Sequence, residues 1–165
     1  MPLDIADDLQ KAAAAKSIND YLNHYITVID TKAGAFLAGN VAAASLLVHE
    51  WPADTVGRAA AALTITLFAA STLVAGGVIY PRRPGCGGSV IFWGDIASAP
   101  DSATYIRRFN EVIERGQLDE QYSFQNYCTS QVLRRKFRWL RGAIVLFFLA
   151  LIAGFFTYLW APPVS

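Results

Sequence analysis

Two stretches without a charged residue decide most of what this chain can fold into. Residues 59–80, AAAALTITLFAASTLVAGGVIY, carry no charge over 22 positions, and residues 142–160, GAIVLFFLALIAGFFTYLW, carry none over 19. A helix needs about 20 such residues to cross a hydrocarbon core about 30 Å thick. Both are therefore predicted to span a membrane. Composition agrees, with 54% hydrophobic and 16% charged residues, where soluble domains average about 45–50% apolar and about 25% charged.

A third span is expected over residues 33–49, AGAFLAGNVAAASLLVH, although it is short and interrupted by Asn40 and Ser45. The nine residues EWPADTVGR separate it from the 59–80 stretch, so a tight helical hairpin is the simplest arrangement. Its Ala, Gly and Ser residues suit close helix packing in lipid. Lys and Arg near the span ends set the orientation. Arg82 and Arg83 follow the second span, and Arg134, Arg135, Lys136, Arg138 and Arg141 precede the third, while the 50–58 turn holds only Arg58. The amino terminus and residues 81–141 are thus expected in the cytoplasm, with the 50–58 turn and the tail outside. Trp51, Tyr80, Trp139, Tyr158 and Trp160 fall near span ends, where amphipathic rings settle.

Helical periodicity extends past the membrane. Apolar residues recur at steps of three and four from Ile5 to Ile29, with a slip near Lys16 and Ser17, and no Pro or Gly interrupts residues 3–33. This predicts one long helix from about Asp4 to Val48, or two joined near Ser17. Pro100-Asp101-Ser102 marks a helix start, Gly116 a stop, and a further helix runs from about Leu118 into the third span. The expected fold is mainly α and integral to the membrane: three spans with long cytoplasmic helical extensions and a small cytoplasmic subdomain. The expected segments are a helix over 1–32, a transmembrane hairpin over 33–80, a subdomain and stalk over 81–141, a span over 142–160 and a tail over 161–165. Within the subdomain, SVIFW (89–93) looks strand-like and could pair edge to edge between copies.

The residues exclude several chemistries. There is no HExxH, P-loop or GxSxG, and no Cys with a matched His, so an enzyme is not expected. His24 and His49 stand about 37 Å apart along one helix, too far to share a metal, so no metal is expected. Cys86 and Cys128 have no ligand-like spacing and are expected as reduced thiols. MPLDIADDLQ has neither a basic n-region nor an apolar h-region, so no cleavable leader is expected. Membrane lipids are the expected surroundings, and no nucleic-acid partner is expected.

Three charged or polar features remain. Asp30 and Lys32 stand at the mouth of the first span, as interfacial anchors or as ligand or intersubunit groups, and Asn40 lies deeper, where an amide must face a helix or a pore. The basic run LRRKFRWLR (133–141) is explained by anionic lipid, or by a phosphate with aromatic stacking. In FWGDI (92–96), Asp95 either fixes a turn or offers an acceptor.

The order of these pieces resembles a known family. Asp-x-Lys-Ala-Gly opens the first span, a short hairpin leads to the second, SVIFWGDIA follows it, and RKFRWLR runs into the last span. Together they resemble the Pycsar effector transmembrane family over about Asp20 to Trp160. The resemblance implies a membrane effector of bacterial anti-phage defence. Such an effector answers a cyclic pyrimidine mononucleotide, cCMP or cUMP, made by a partner pyrimidine nucleotide cyclase, and impairs the inner membrane, causing abortive infection. No cofactor is expected beyond that nucleotide. A homo-oligomer is expected, and the chain lacks the phosphate-binding cassette of a cyclic-nucleotide β-roll. On chemical grounds, Arg82, Arg83, Arg107, Arg134 and Lys136 are candidates for the phosphate, Trp93, Tyr105 and Tyr122 for stacking, and Asp95 for a hydroxyl or base. The alternative is a constitutive membrane scaffold or oligomerising subunit without a small-molecule ligand.

Overall fold

A computed structural model of the protein describes residues 2–49, 51–80 and 87–160, without the side chains of residues 2–6 and 160. It is built from five helices: α1 (Pro2–His49), α2 (Thr55–Ile79), α3 (Trp93–Ala97), α4 (Ser102–Glu114) and α5 (Leu118–Trp160). Three of them, α1, α2 and α5, are long and apolar enough to cross a membrane. The chain forms two compact units: Met1–Thr27 with Pro81–Arg134, and Val28–Tyr80 with Arg135–Ser165.

The long helices follow one rule. Along α1, one row of shielded positions is Ala12, Ala15, Asn19, Leu22, Ile26, Ile29, Ala33, Phe36, Asn40, Ala43 and Leu47. Steps of three and four alternate without a break, the 3.5-residue period of a knobs-into-holes seam. The slip near Lys16 and Ser17 therefore does not split the helix: Leu9 and Ile18, 66% and 53% exposed, stand off the seam. On α2 the same alternation gives Gly57, Ala61, Thr64, Phe68, Ser71, Ala75 and Val78. On α5 it runs Tyr122, Asn126, Thr129, Leu133, Lys136, Leu140, Ala143, Phe147, Ala150, Gly154 and Thr157.

The membrane unit is a three-helix bundle on these seams. Phe147 of α5 meets Phe36 of α1 and Phe68 of α2 edge-on, with ring centroids 5.3 and 6.0 Å apart. Small residues let the helices approach. A Cβ at Gly154 would sit 3.3 Å from Thr64 Cγ2, and one at Gly77 only 2.6 Å from the Trp139 ring. The outer face of α5 is bulky, with Val145, Phe148, Ile152 and Phe155 all more than half exposed, as lipid-facing residues are. The hairpin turn is tighter than nine residues, because Asp54 caps α2 by accepting from Gly57 N at 2.8 Å and the helix starts at Thr55.

In the other unit, the amino-terminal part of α1 packs on the first part of α5. Asn19 Nδ2 donates to Asn126 Oδ1 at 2.9 Å, and Asn126 Nδ2 donates to Ala15 O at 2.8 Å. Asp101 caps α4 through Thr104 N, and Gly116, at φ 65°, closes it in the left-handed conformation.

The strand-like expectation for SVIFW is corrected. The described residues contain no strand: Val90 and Ile91 form bends between the irregular Ser89 and Phe92, and Trp93 opens the one-turn helix α3. The reason is local satisfaction. Asp95 accepts from Ser89 N at 2.9 Å, the Ser89 hydroxyl accepts from Ile91 N, Gln121 accepts from Val90 N, and Tyr105 Oη donates to Val90 O. With its backbone groups engaged this way, the segment has no free ladder edge. Cys128 is 4% exposed and disulfide-bonded, which corrects the expectation of a free thiol there; Cys86 lies outside the described residues.

Candidate functional site

The membrane unit holds two polar clusters on its seams. The deeper one joins all three helices. Asn40 of α1 is 1% exposed, and its Nδ2 donates to Ser71 Oγ of α2 at 3.0 Å. Ser71 in turn donates to the carbonyl of Ala143 on α5 at 2.9 Å. Asn40 Oδ1 has no partner among the described residues. Ser71 gives its one proton to Ala143 O, so it has none left for Asn40 Oδ1. Such an orphan costs about 1–3 kcal/mol. Thr64 and Thr157, also buried, instead return their hydroxyls to the carbonyls four residues back, so they add no demand.

The second cluster lies where the basic run enters the span. Lys136 Nζ donates to Asp30 Oδ1 at 2.6 Å, with side chains 7% and 32% exposed. Asp30 is therefore the partner of Lys136, whereas Lys32, two residues on, is exposed. Beside this pair, the Trp139 ring covers Gly77. Arg135, Arg138 and Arg141 are exposed.

Arg82 and Arg83 lie outside the described residues. Trp93 is 63% exposed, its ring tilted against Phe92 at 5.6 Å. Asp95 is turned inward to Ser89 N and Tyr105 to Val90 O. Tyr122 is half-buried, and Arg107 and Arg134 are exposed. Lys136 belongs to the membrane unit and is occupied by Asp30. The non-membrane unit is not basic: it carries eight Lys and Arg against ten Asp and Glu. A cavity of about 470 Å³ in it is lined by Leu9, Ala12, Ile113 and Leu118 with Asp8, Glu114, Arg115 and Asp119. Three carboxylates there disfavour an anion.

Sequence reasoning missed Ser71, the Asn19–Asn126 pair and the close approach at Gly77. The signal was present: Ser71, Asn19 and Asn126 all sit on the 3–4 seams. Seen singly they look like surface polar residues, and only the seam makes them buried.

Comparison with known proteins gives one positive result. The family described as the Pycsar effector protein domain, PycTM, matches residues 14–161. No curated protein and no solved structure matches the chain. The match covers both units and every polar cluster described above, and it agrees with three membrane-length helices. The chain belongs to the Pycsar effector family and is a membrane effector of Pycsar anti-phage defence.

Proposed function

We propose that the chain is a homo-oligomeric effector of the bacterial inner membrane that binds a cyclic pyrimidine nucleotide, cCMP or cUMP, from its partner cyclase. Binding converts the membrane unit to a state that breaches the bilayer, and infection aborts. Family membership supports the biological setting. The observation that carries the mechanism is the frustrated centre of the bundle, Asn40–Ser71–Ala143, with its orphaned Asn40 acceptor. A resting state that leaves a buried acceptor unpaired is raised in energy relative to any packing that pairs it. A ligand then needs less differential affinity to shift the population.

In this reading the amino terminus and residues 81–141 face the cytoplasm, the side that the arginines beside the second and third spans favour. Trp93 and Tyr122 offer ring surface, and Arg107 and Arg134 offer guanidinium donors for a phosphate. Lys136, 7% exposed and paired with Asp30, serves transmission rather than the pocket. Asp30 and Lys136 are then the closed-state pair, and Asn40 is the group whose partner changes.

The test is thermal stabilisation of the detergent-purified chain by cCMP, cUMP, cAMP and cGMP. A ligand at a hundred times its Kd stabilises by about 2.7 kcal/mol, a readily measured shift, and it is expected for one of the pyrimidine nucleotides. No shift with any of the four would favour the second reading, a constitutive scaffold. That reading draws on the exposed apolar side chains of the non-membrane unit, among them Ile18, Tyr21 and Tyr127, which suit a protein partner.

A further inference from the structure

Among the described residues of their own unit, Arg138 and Arg141 at the mouth of the third span have no counter-ion. The carboxylates of the membrane unit are Asp30, Glu50 and Asp54. Asp30 is held by Lys136 at 2.6 Å, and Asp54 is the cap of α2. Glu50 lies outside the described residues. From Gln121 to Trp160 the chain has no acidic residue at all. Among the described residues, Arg138 and Arg141 form no ion pair.

These two arginines also open a continuous face. Arg138, Arg141, Val145, Phe148, Ile152 and Phe155 follow one another along α5 at steps of three and four, and all are exposed. Residues so spaced lie one above another on a helix. The face therefore presents two guanidinium groups at the head and a column of bulky apolar side chains below. That is the chemical pattern of an anionic phospholipid laid along the helix: phosphate against paired N–H donors, acyl chain against Val, Phe and Ile. A soluble nucleotide would need walls and polar groups for its base and ribose, and this face is open and apolar below the arginines.

We propose that the Arg138–Arg141 face of α5 is a binding site for an anionic phospholipid. Lys136 is excluded from it by Asp30, so the selectivity rests on the two arginines. This inference does not depend on nucleotide sensing.

The test uses the full-length chain in phosphatidylcholine nanodiscs with and without phosphatidylglycerol, followed by native mass spectrometry of the lipids retained on release. The wild-type chain should retain phosphatidylglycerol over phosphatidylcholine. Arg138→Gln/Arg141→Gln should lose that preference by about tenfold or more, as expected for two juxtamembrane cations. Arg115→Gln, in the other unit, should keep it. Arg138→Lys/Arg141→Lys serves where the glutamine variant folds poorly: it should keep charge attraction but retain less lipid than wild type, because it lacks the paired donors. Equal retention of both lipids by wild type would overturn the proposal. So would unchanged preference in both double variants, or displacement of the lipid by soluble cCMP, which would mark a free-phosphate site instead.

Discussion

At the scale of single residues, the protein is governed by what its buried polar atoms can pair with. Asn40 is the clearest case, because Ser71 satisfies its Nδ2 and leaves its Oδ1 orphaned. Asn40→Leu removes that orphan and should leave thermal stability unchanged or raise it by about 1–2 kcal/mol, measured by unfolding in detergent. In the proposed mechanism it should also abolish nucleotide-triggered leakage; a leaky Asn40→Leu protein would remove Asn40 from the mechanism. The Asp30–Lys136 pair behaves oppositely. Breaking a fully buried pair costs about 3–5 kcal/mol, but Asp30 is 32% exposed, so Asp30→Ala should cost about 1–3 kcal/mol. Asp30→Ala/Lys136→Met should recover most of this in a double-mutant cycle. Purely additive losses would show that the two side chains do not interact.

At the scale of elements, caps and close approaches set the helix ends and their spacing. Asp101 holds its carboxyl below the usual carboxylate range, chiefly because the Thr104 backbone N–H donates to it. The folded state favours the charged form, so the cap's contribution is complete above the ordinary Asp pKa of about 3.9 and is lost as pH falls through the lower folded value. NMR of α4 should show its first turn fraying on acidification, and Asp101→Asn should remove that acid dependence. Gly77→Ala would put a methyl into the Trp139 ring and should destabilise the bundle by about 1–3 kcal/mol; if Gly77→Ala with Trp139→Ala is no more stable than Gly77→Ala alone, the clash is not the cause.

Much of this level was legible in the sequence. The spans, the Asp101 cap, the Gly116 stop and the uninterrupted α5 follow from charge-free runs and capping residues. SVIFW was not legible, because β-branched and aromatic residues signal a strand only where a ladder partner exists. Here Asp95, Gln121 and Tyr105 engage the backbone first. The pairing of Asp30 with Lys136 was equally hidden, since residues 106 positions apart meet only through the packing of α1 on α5.

At the scale of the whole molecule, family membership makes the chain a Pycsar membrane effector, and the proposed account adds a ligand, an oligomer and a breach of the bilayer. The membrane unit suits a two-state element: small residues such as Gly77 and Gly154 permit close packing, while the unpaired Asn40 amide oxygen at the centre works against a single deep minimum. The most direct test is dye release from liposomes of bacterial lipid carrying the full-length chain, with cCMP, cUMP, cAMP or cGMP added in turn. The account predicts rapid release with a cyclic pyrimidine nucleotide and none with the purine nucleotides. Intact liposomes with all four, or equal release without any nucleotide, would contradict it.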